Sequence, residues 1–173
     1  MLFRSAAFEQ ALTALRQNRR ALQLVIGALR SVPSPRSQLT TELAQAALRV
    51  LASEPRTSSL LVGLAASAGL AAFTSTLTRL ADRGLLHAEA LAVAQTGVRA
   101  LSQGDAETFT EQLGQHPHEA LRFLSVTALG VAAPGQGWTP ERRARLLHYQ
   151  NDPSPLVSGT AQFIFPPAEE SPP

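Results

Sequence analysis

The chain has 173 residues, enough for one domain with a substantial core, and 45 % of them are hydrophobic. Only 5 % are aromatic, so Leu, Ala and Val must build the core. Leu and Ala favour helices, and no long run alternates β-branched or aromatic residues, so we predict an all-α protein. The absence of Cys excludes disulfides, thiolate metal ligands and a cysteine nucleophile.

The basic residues are all arginine, and they are unevenly distributed. The chain has 15 Arg and no Lys, with a net charge of only +2. A codon bias towards Arg would produce this composition, and so would selection for bidentate recognition of phosphate or carboxylate. Residues 1–56 carry a charge balance of +5, and residues 57–173 carry −3. This asymmetry indicates one face or end that meets an anionic partner.

The longest uncharged stretch covers residues 57–78, between Arg56 and Arg79. Its 22 residues match the length of a membrane span, since a bilayer core needs roughly 20 apolar residues. Ser, Thr and Gly are frequent within it, however, and they interrupt its apolar core. The stretch therefore predicts two short buried helices that meet near Gly69, with no membrane span.

Hydrophobic periodicity predicts ten helices of about 10 to 18 residues joined by short turns. In chain order the predicted ranges are about 5–17, 19–32, 36–53, 57–68, 70–83, 87–102, 105–114, 117–132, 139–150 and 152–165. Residues 1–165 are expected to form a single helical domain, followed by a disordered Pro- and Glu-rich tail at 166–173. The N-terminus lacks the unbroken apolar segment of a secretory signal, which favours a cytoplasmic location.

Several helix ends carry specific signals. Gly84 is expected to end its helix in a left-handed conformation. Asp105 is expected to cap the seventh helix, and Pro117 to occupy the first position of the eighth. Residues 133–138 are predicted to form a loop. The clearest start is at Thr139, which is followed by Pro140 and an acidic residue.

Glycines and prolines recur at intervals in the thirties. Gly27 and Gly63 lie 36 residues apart, Gly63 and Gly97 lie 34 apart, and Pro117 and Pro153 lie 36 apart. Such a period is typical of helical repeats, in which each helix pair stacks on the next. Small residues at these positions would allow the close approach of neighbouring helices.

Residues 139–165 carry the best match to a known pattern. They form a predicted helix followed by NDPSPLVSGTAQFIF, with an acidic residue and Pro in the turn and an apolar second helix. This segment resembles HEAT repeats and their armadillo relatives, although Ser158 stands where HEAT repeats commonly place Arg. The resemblance implies a right-handed α-solenoid of about five antiparallel helix pairs. The alternative is an irregular helical bundle.

No residue pattern predicts catalysis, a cofactor or a metal. His116, His118 and Glu119 are clustered, but a helix start would splay the two rings, and a metal needs three or four convergent ligands. They are therefore interpreted as polar residues at a helix start. Glu107, Glu111 and Glu119 are expected to be solvated surface charges. The chain is thus predicted not to be an enzyme.

Two arginine clusters are candidate binding sites for an anionic partner. The first lies near the N-terminus and comprises Arg16, Arg19, Arg20, Arg30 and Arg36. The second surrounds the ninth predicted helix and comprises Trp138, Arg142, Arg143 and Arg145. An aromatic ring beside arginines can stack on a base or grip phosphate, but it can also serve as a packing anchor.

The absence of a catalytic pattern and the repeat period favour a non-catalytic helical-repeat scaffold that binds a protein partner. The alternative is a nucleic-acid-binding helical protein that uses the Arg-rich N-terminal surface. Self-association also remains open, because a second copy could cover the uncharged centre.

Overall fold

The computed structural model describes residues 58–167, together with Gln10 and Thr13. Within 58–167 it contains seven α-helices and no strand, which confirms the all-α prediction for this part of the chain. In chain order they are α1 Ser58–Ala68, α2 Leu70–Asp82, α3 Ala88–Arg99, α4 Gln103–Leu113, α5 Glu119–Gln136, α6 Pro140–Gln150 and α7 Pro155–Ala161.

The N-terminal predictions are largely outside the described residues. Gln10 and Thr13 are helical and exposed, in agreement with the first predicted helix. The second and third predicted helices lie outside the described residues, as does the predicted tail beyond Pro167. The described residues divide between Gly97 and Val98 into two compact units, and the single domain over 1–165 stays a prediction.

Gly69 separates α1 from α2, as the sequence predicts. Its φ of 107° and ψ of 169° belong to a region that glycine adopts and other residues avoid. The two helices contain only 11 and 13 residues. No helix among the described residues is long and apolar enough to cross a membrane.

The first unit buries α1 around most of its circumference. Its buried side chains include Leu61, Val62 and Leu64, each at most 2 % exposed. α1 packs against α2, and a Cβ atom on Gly97 of α3 would lie 2.9 Å from Cζ of Phe73 in α2. Glycine at this position therefore allows α3 to approach the buried aromatic ring closely, as its place in the repeat pattern suggested.

The predicted glycine signal at the end of α2 is confirmed. Gly84 has a φ of 66°, and its N–H donates to the carbonyl of Ala81 over 2.9 Å. The N–H of Leu85 reaches back to the carbonyl of Leu80 over 2.8 Å. These bonds satisfy carbonyls of the last turn that have no partner within the helix.

The predicted cap of α4 is wrong by three residues. Ser102, not Asp105, caps the helix: its Oγ accepts the N–H of Asp105 over 3.2 Å and donates to the Asp105 carboxylate over 2.7 Å. Asp105 therefore lies in the first turn and bonds to the capping residue through both its N–H and its carboxylate. Gly104 accordingly lies inside α4 and does not precede it.

The predicted start and end of α5 are also wrong. His118 caps this helix, with its Nδ1 accepting the N–H of Ala120 over 3.3 Å, so Pro117 precedes the helix. α5 continues through the predicted loop at 133–138 as far as Gln136. Pro134 lies in the last turn of this helix, so its missing N–H removes one bond and the helix ends two residues later. The helix ends at Gly137, whose φ is 79°.

The start of α6 is confirmed, and α7 is shorter than predicted. Thr139 caps α6 by accepting the N–H of Arg142 over 3.3 Å, and Pro140 occupies the first turn. α7 ends at Ala161, four residues before the predicted end at Phe165. The Gln162 N–H then bonds the Ser158 carbonyl at 3.0 Å, and the chain leaves the helix.

The second unit is built around α5, which packs against α4, α6 and α7. α7 also packs against α6. Phe109, Leu121, Leu124, Leu129 and Tyr149 are its largest side chains with less than 2 % exposure. Burial of each such side chain contributes about 1.5–3 kcal/mol, so this core holds the four helices together.

Candidate functional site

The predicted patch around α6 is divided between two faces of the helix. Arg142 is only 7 % exposed; its Nε donates to Oε2 of Glu107 over 3.0 Å, and its Nη1 donates to the carbonyl of Gly137 over 2.7 Å. Nη1 of Arg145 donates to Oε1 of the same Glu107 over 3.1 Å. Arg142 and Arg145 thus both use their guanidinium groups to fix α6 to α4.

Arg143 lies next to Trp138, on a different side of α6 from Arg142 and Arg145. Nη2 of Arg143 donates to the carbonyl of Pro167 over 2.8 Å, and its Nε is 3.4 Å from the carbonyl of Trp138. Trp138 is half-buried just before the Thr139 cap. The contact anchors the end of the described chain to the start of α6.

The N-terminal candidate site stays a prediction. Its members, Arg16, Arg19, Arg20, Arg30 and Arg36, lie outside the described residues.

An ion pair that the sequence analysis missed joins α5 to the turn before α7. Nε and Nη2 of Arg122 donate to the two carboxylate oxygens of Asp152 over 2.7 and 3.0 Å. The Asp152 side chain is 3 % exposed and that of Arg122 is 14 % exposed. The hydrogen bonds from Arg122 lower the pKa of Asp152 and, in return, raise the pKa of Arg122.

The same two residues organise the surrounding turns. Oδ1 of Asp152 also accepts the N–H of Ser154 over 2.9 Å. Nη1 of Arg122 donates to the carbonyls of His116 and Pro117, over 2.9 and 2.8 Å. This one pair therefore orders the turn before α5 and the turn before α7.

Two of the three glutamates expected to be solvated have partners within the second unit. Glu107 accepts from two arginines, as described above. Glu119, at the start of α5, accepts a hydrogen bond from the hydroxyl of Ser154. Glu111 is exposed, as expected. The signal that could have identified Glu107 and Glu119 is their separation of 35 residues from Arg142 and Ser154, which matches the period of the sequence.

A cleft of about 370 Å³ lies between the C-terminal end of α4 and the side of α6. It is lined by Glu111, Gly114, Gln115, Arg145, His148 and Tyr149, among others. Tyr149 is 1 % exposed, and its hydroxyl has no hydrogen-bond partner among the described residues. A buried polar group without a partner costs about 1–3 kcal/mol.

Burial raises the pKa of the Tyr149 phenol to about 12, despite the opposing effects of Arg145 and Ser125. Ser125 is close enough to influence the phenol, but its own hydroxyl donates to the carbonyl of Leu121 over 3.0 Å. No hydrogen bond of normal geometry joins the two hydroxyl groups. The phenol therefore keeps its proton at neutral pH.

His116 and His118, the clustered histidines, form hydrogen bonds at the start of α5. Nδ1 of His116 accepts the N–H of His118 over 3.1 Å, while His118 caps the helix. No group of three or more metal-binding side chains occurs within residues 58–167. The two histidine rings bond to backbone N–H groups at the start of α5, as expected for polar residues at a helix start.

Another polar contact occurs at the start of α1. Oγ of Ser58 is 3.3 Å from Nε2 of His87, and the hydroxyl of Ser59 donates to Glu89 over 3.1 Å. Ser58 is 1 % exposed, so a substrate cannot reach this hydroxyl without movement of the helix. The contacts fix the start of α1 to the start of α3, and the sequence gives no local signal for them.

Comparison of the chain with protein-family models, curated proteins and solved structures finds no match.

Proposed function

We propose that the chain is a non-catalytic helical-repeat scaffold that binds a protein partner. The observation that carries this proposal is the separation of side chains that bond between helices. Glu107 and Arg142 are 35 residues apart, and Glu119 and Ser154 are also 35 apart. In a stack of helix pairs, positions one repeat apart lie beside each other, so bonds at this separation are expected.

The order of the helix contacts supports the same proposal. α4 packs on α5, and α6 packs on α7, as two successive helix pairs would. The second helices α5 and α7 also contact each other, while Glu107 links the first helices α4 and α6. The proposed arrangement is a HEAT-like, right-handed stack of about five such pairs.

The turn chemistry agrees with the HEAT-like resemblance. Asp152 lies in the turn between the helices of the last pair, where the resemblance implies an acidic residue before Pro. Its carboxylate binds Arg122 of the preceding second helix. Asp152 therefore has a specific use in joining one proposed repeat to the next.

The surface proposed for the protein partner includes Phe163 and Phe165. They are 82 % and 81 % exposed, immediately after α7. Ile164 between them is only half-buried, and it would be 3.9 Å from a Cβ atom on Gly130. Exposed aromatic side chains are typical of sites that contribute most of the energy of protein binding.

A photocrosslinking experiment in cells tests this function. The photoreactive residue is placed at exposed Gln162, and the crosslinked species are compared with and without the double substitution Phe163→Ala and Phe165→Ala. We expect a discrete crosslinked protein that the double substitution removes, with an unchanged thermal midpoint because both rings are exposed. Substitution of exposed Leu147 by Ala is the control. Crosslinking that is unaffected by the double substitution contradicts the proposed surface.

The charge distribution favours nucleic acid as the second candidate partner. Residues 1–56 carry a balance of +5, against −3 for the rest of the chain. A phosphate-binding surface would give an affinity that falls steeply with salt, because bound counterions are released. Fluorescence anisotropy with single- and double-stranded DNA and RNA, at about 50 to 200 mM salt, measures this dependence.

A charge-matched pair of variants locates that surface. In the nucleic-acid alternative, replacement of Arg16, Arg19 and Arg20 by Ala lowers the affinity and the salt dependence. Replacement of Arg79, Arg83 and Arg99 removes the same charge from the acidic part of the chain and should have a smaller effect. Equal losses would show that only net charge matters, and an absence of binding at low salt would exclude this alternative.

A further inference from the structure

We propose that the exposed side of α7 pairs with the same side of α7 in a second copy of this chain. Four residues form this side, which we call the outer stripe: Leu156, Gly159, Thr160 and Phe163. The inference rests on the protein-binding surface proposed above, and it names the partner as another molecule of the same protein.

Helical spacing places these residues together on α7. Gly159, Thr160 and Phe163 follow Leu156 by three, four and seven positions, the separations of neighbours on a helix surface. The chain continues to turn beyond the last residue of α7. The N–H groups of Gln162 and Phe163 donate to the carbonyls of Ser158 and Thr160 over 3.0 and 3.3 Å. Phe163 therefore extends the stripe by one more turn.

α7 is apolar on two sides, and only one of them is covered. Val157 and Ala161 are 0 % exposed, on the side that packs against α5 and α6. On the outer stripe, Leu156 is 39 % exposed and Phe163 is 82 % exposed. Among residues 58–167, no atom beyond its own helix backbone lies within 4 Å of a Cβ atom added at Gly159. The outer side of a surface helix is usually polar, so this stripe indicates a further packing partner.

The surface around the outer stripe is uncharged. Residues 153–167 contain no acidic residue, no arginine and no histidine, and residues 168–173 contain no large apolar side chain that could cover the stripe. When identical surfaces meet across a two-fold axis, a charge near the axis faces its own copy and is repelled. An uncharged surface avoids this repulsion and offers no attraction to a charged partner. A second copy therefore fits it better than an acidic or basic protein.

The outer stripe is complementary to itself in the antiparallel direction. Leu156 and Phe163 are equally far along the chain from the midpoint between Gly159 and Thr160. Two antiparallel copies of α7 that cross at this midpoint place Leu156 of each copy against Phe163 of the other. The small side chains at the crossing allow the helix axes to approach to about 8–10 Å.

The area available is that of a weak, reversible dimer. Phe163 and Phe165 are both more than four-fifths exposed. A buried Phe covers about 150–250 Å², so these rings in two copies would remove on the order of 600–1,000 Å² from water. Leu156 and the small residues of the stripe add to this area. The total lies near the lower end of specific interfaces, about 1,200 Å², where association is weak.

Sedimentation velocity of the full chain, from about 1 to 200 μM, measures association in this range. We expect a reversible equilibrium between monomer and dimer. Phe163→Gln should raise the dissociation constant at least about tenfold, because every dimer loses two aromatic contacts. Leu147→Gln is the control, since Leu147 is 60 % exposed on α6, outside the stripe. It should change the constant by less than about twofold.

The absence of cysteine from the chain permits a second test by disulfide formation. Thr160→Cys places a thiol at the crossing, so a mild oxidant should link two copies covalently. Thr96→Cys is the matched control. Thr96 and Thr160 are both helical residues whose hydroxyl donates to the carbonyl four positions earlier, over 3.1 and 2.7 Å. At equal concentration, Thr160→Cys should form the linked dimer and Thr96→Cys should remain largely monomeric.

Three results would overturn the inference. They are a chain that stays monomeric at about 200 μM, equal effects of Phe163→Gln and Leu147→Gln, and equal disulfide formation at the two cysteine positions. The photocrosslinking from Gln162 separates this failure from that of the proposed function. A monomeric chain that still crosslinks to a different protein, through the two Phe residues, would retain the scaffold surface and lose only the second copy as its partner. A crosslinked species of twice the chain mass, removed by the double Phe substitution, would support both.

Discussion

The Asp152 carboxylate is at the centre of the interactions that connect α5 with the turn before α7. Because its side chain is 3 % exposed and bound to Arg122 through both oxygens, Asp152→Asn should leave the largely covered Arg122 guanidinium without a counter-charge. We expect the free energy of unfolding to fall by about 3 kcal/mol, measured by urea denaturation. Glu111→Gln, at an exposed site, is the control and should change it by less than about 0.5 kcal/mol. Similar effects of both substitutions would contradict the role given to Asp152.

The same ion pair predicts a pH dependence. The pKa of Asp152 is lower in the folded chain than its ordinary value of about 3.9, because Arg122 donates to the carboxylate. A lowered folded-state pKa stabilises the fold above the ordinary value, and this contribution is lost as the pH falls through the folded-state pKa. The pKa of Arg122 is raised, so its contribution is lost only at strongly alkaline pH.

We therefore expect the stability difference between the original chain and Asp152→Asn to be constant at neutral pH and to shrink below about pH 4. Urea unfolding at pH 7, 5, 4 and 3 measures this difference. A difference in the free energy of unfolding that stays the same down to pH 3 would show that it does not come from the ion pair.

Gly114 provides a test of close packing at a single residue. Gly114→Ala should reduce the free energy of unfolding by about 1–3 kcal/mol, because the added methyl group overlaps the Tyr149 hydroxyl and a backbone carbonyl. Gly159→Ala in α7 is the matched control, since among residues 58–167 no atom beyond its own helix backbone lies within 4 Å of the added Cβ. That substitution should be neutral or stabilise the fold by up to about 1 kcal/mol. A larger loss of stability in Gly159→Ala than in Gly114→Ala would contradict the packing described between Gly114 and Tyr149.

At the level of single residues, the sequence predicted some roles and not others. It grouped Arg142, Arg143 and Arg145 because they are close in the chain. In a helix, however, successive residues point in different directions, and only residues three or four apart share a face. Arg142 and Arg145 consequently meet Glu107, while Arg143 meets Pro167. The partner Glu107 lies on another helix, so no local pattern could identify it.

Among the elements, the break at Gly69 determines whether residues 58–82 form one helix or two. Gly69→Ala places a side chain in a backbone region that only glycine adopts readily, and should lower the free energy of unfolding by about 1–3 kcal/mol. Apart from its chain neighbours, none of the described residues has an atom within 4 Å of the added Cβ, so the loss would come from the backbone and not from a clash. Thermal and urea unfolding measure the change, with Gly159→Ala as the control. An unaltered stability would show that this backbone conformation is not needed.

The helix ends show how far local sequence signals are reliable. The start of α6 was predicted correctly because the cap, the proline and the acidic residue all occur within Thr139, Pro140 and Glu141. The start of α5 was missed because His118 is an uncommon cap, and Pro117 was a plausible first residue. The end of α5 was missed because its last turn tolerates Pro134, which was expected to lie in a loop.

For the whole molecule, the all-helical class followed from composition and periodicity, and the structure confirms it for residues 58–167. The period of 34 to 36 residues was visible in the spacing of glycines and prolines. The bonds from Glu107 and Glu119 to residues 35 positions later have the same separation. The sequence could not predict which side chains form these bonds, because that depends on which faces of the helices meet. A regular stack of about five pairs remains our proposal.

A crystal structure of the full chain tests that proposal most directly. We predict that the pair α4–α5 superposes on the pair α6–α7, and that one repeated rotation and translation also relates the preceding helix pairs. Neighbouring helices should be about 8–10 Å apart. Helix pairs that cross at unrelated angles, with no common operation between them, would contradict the proposed repeat scaffold and indicate an irregular bundle.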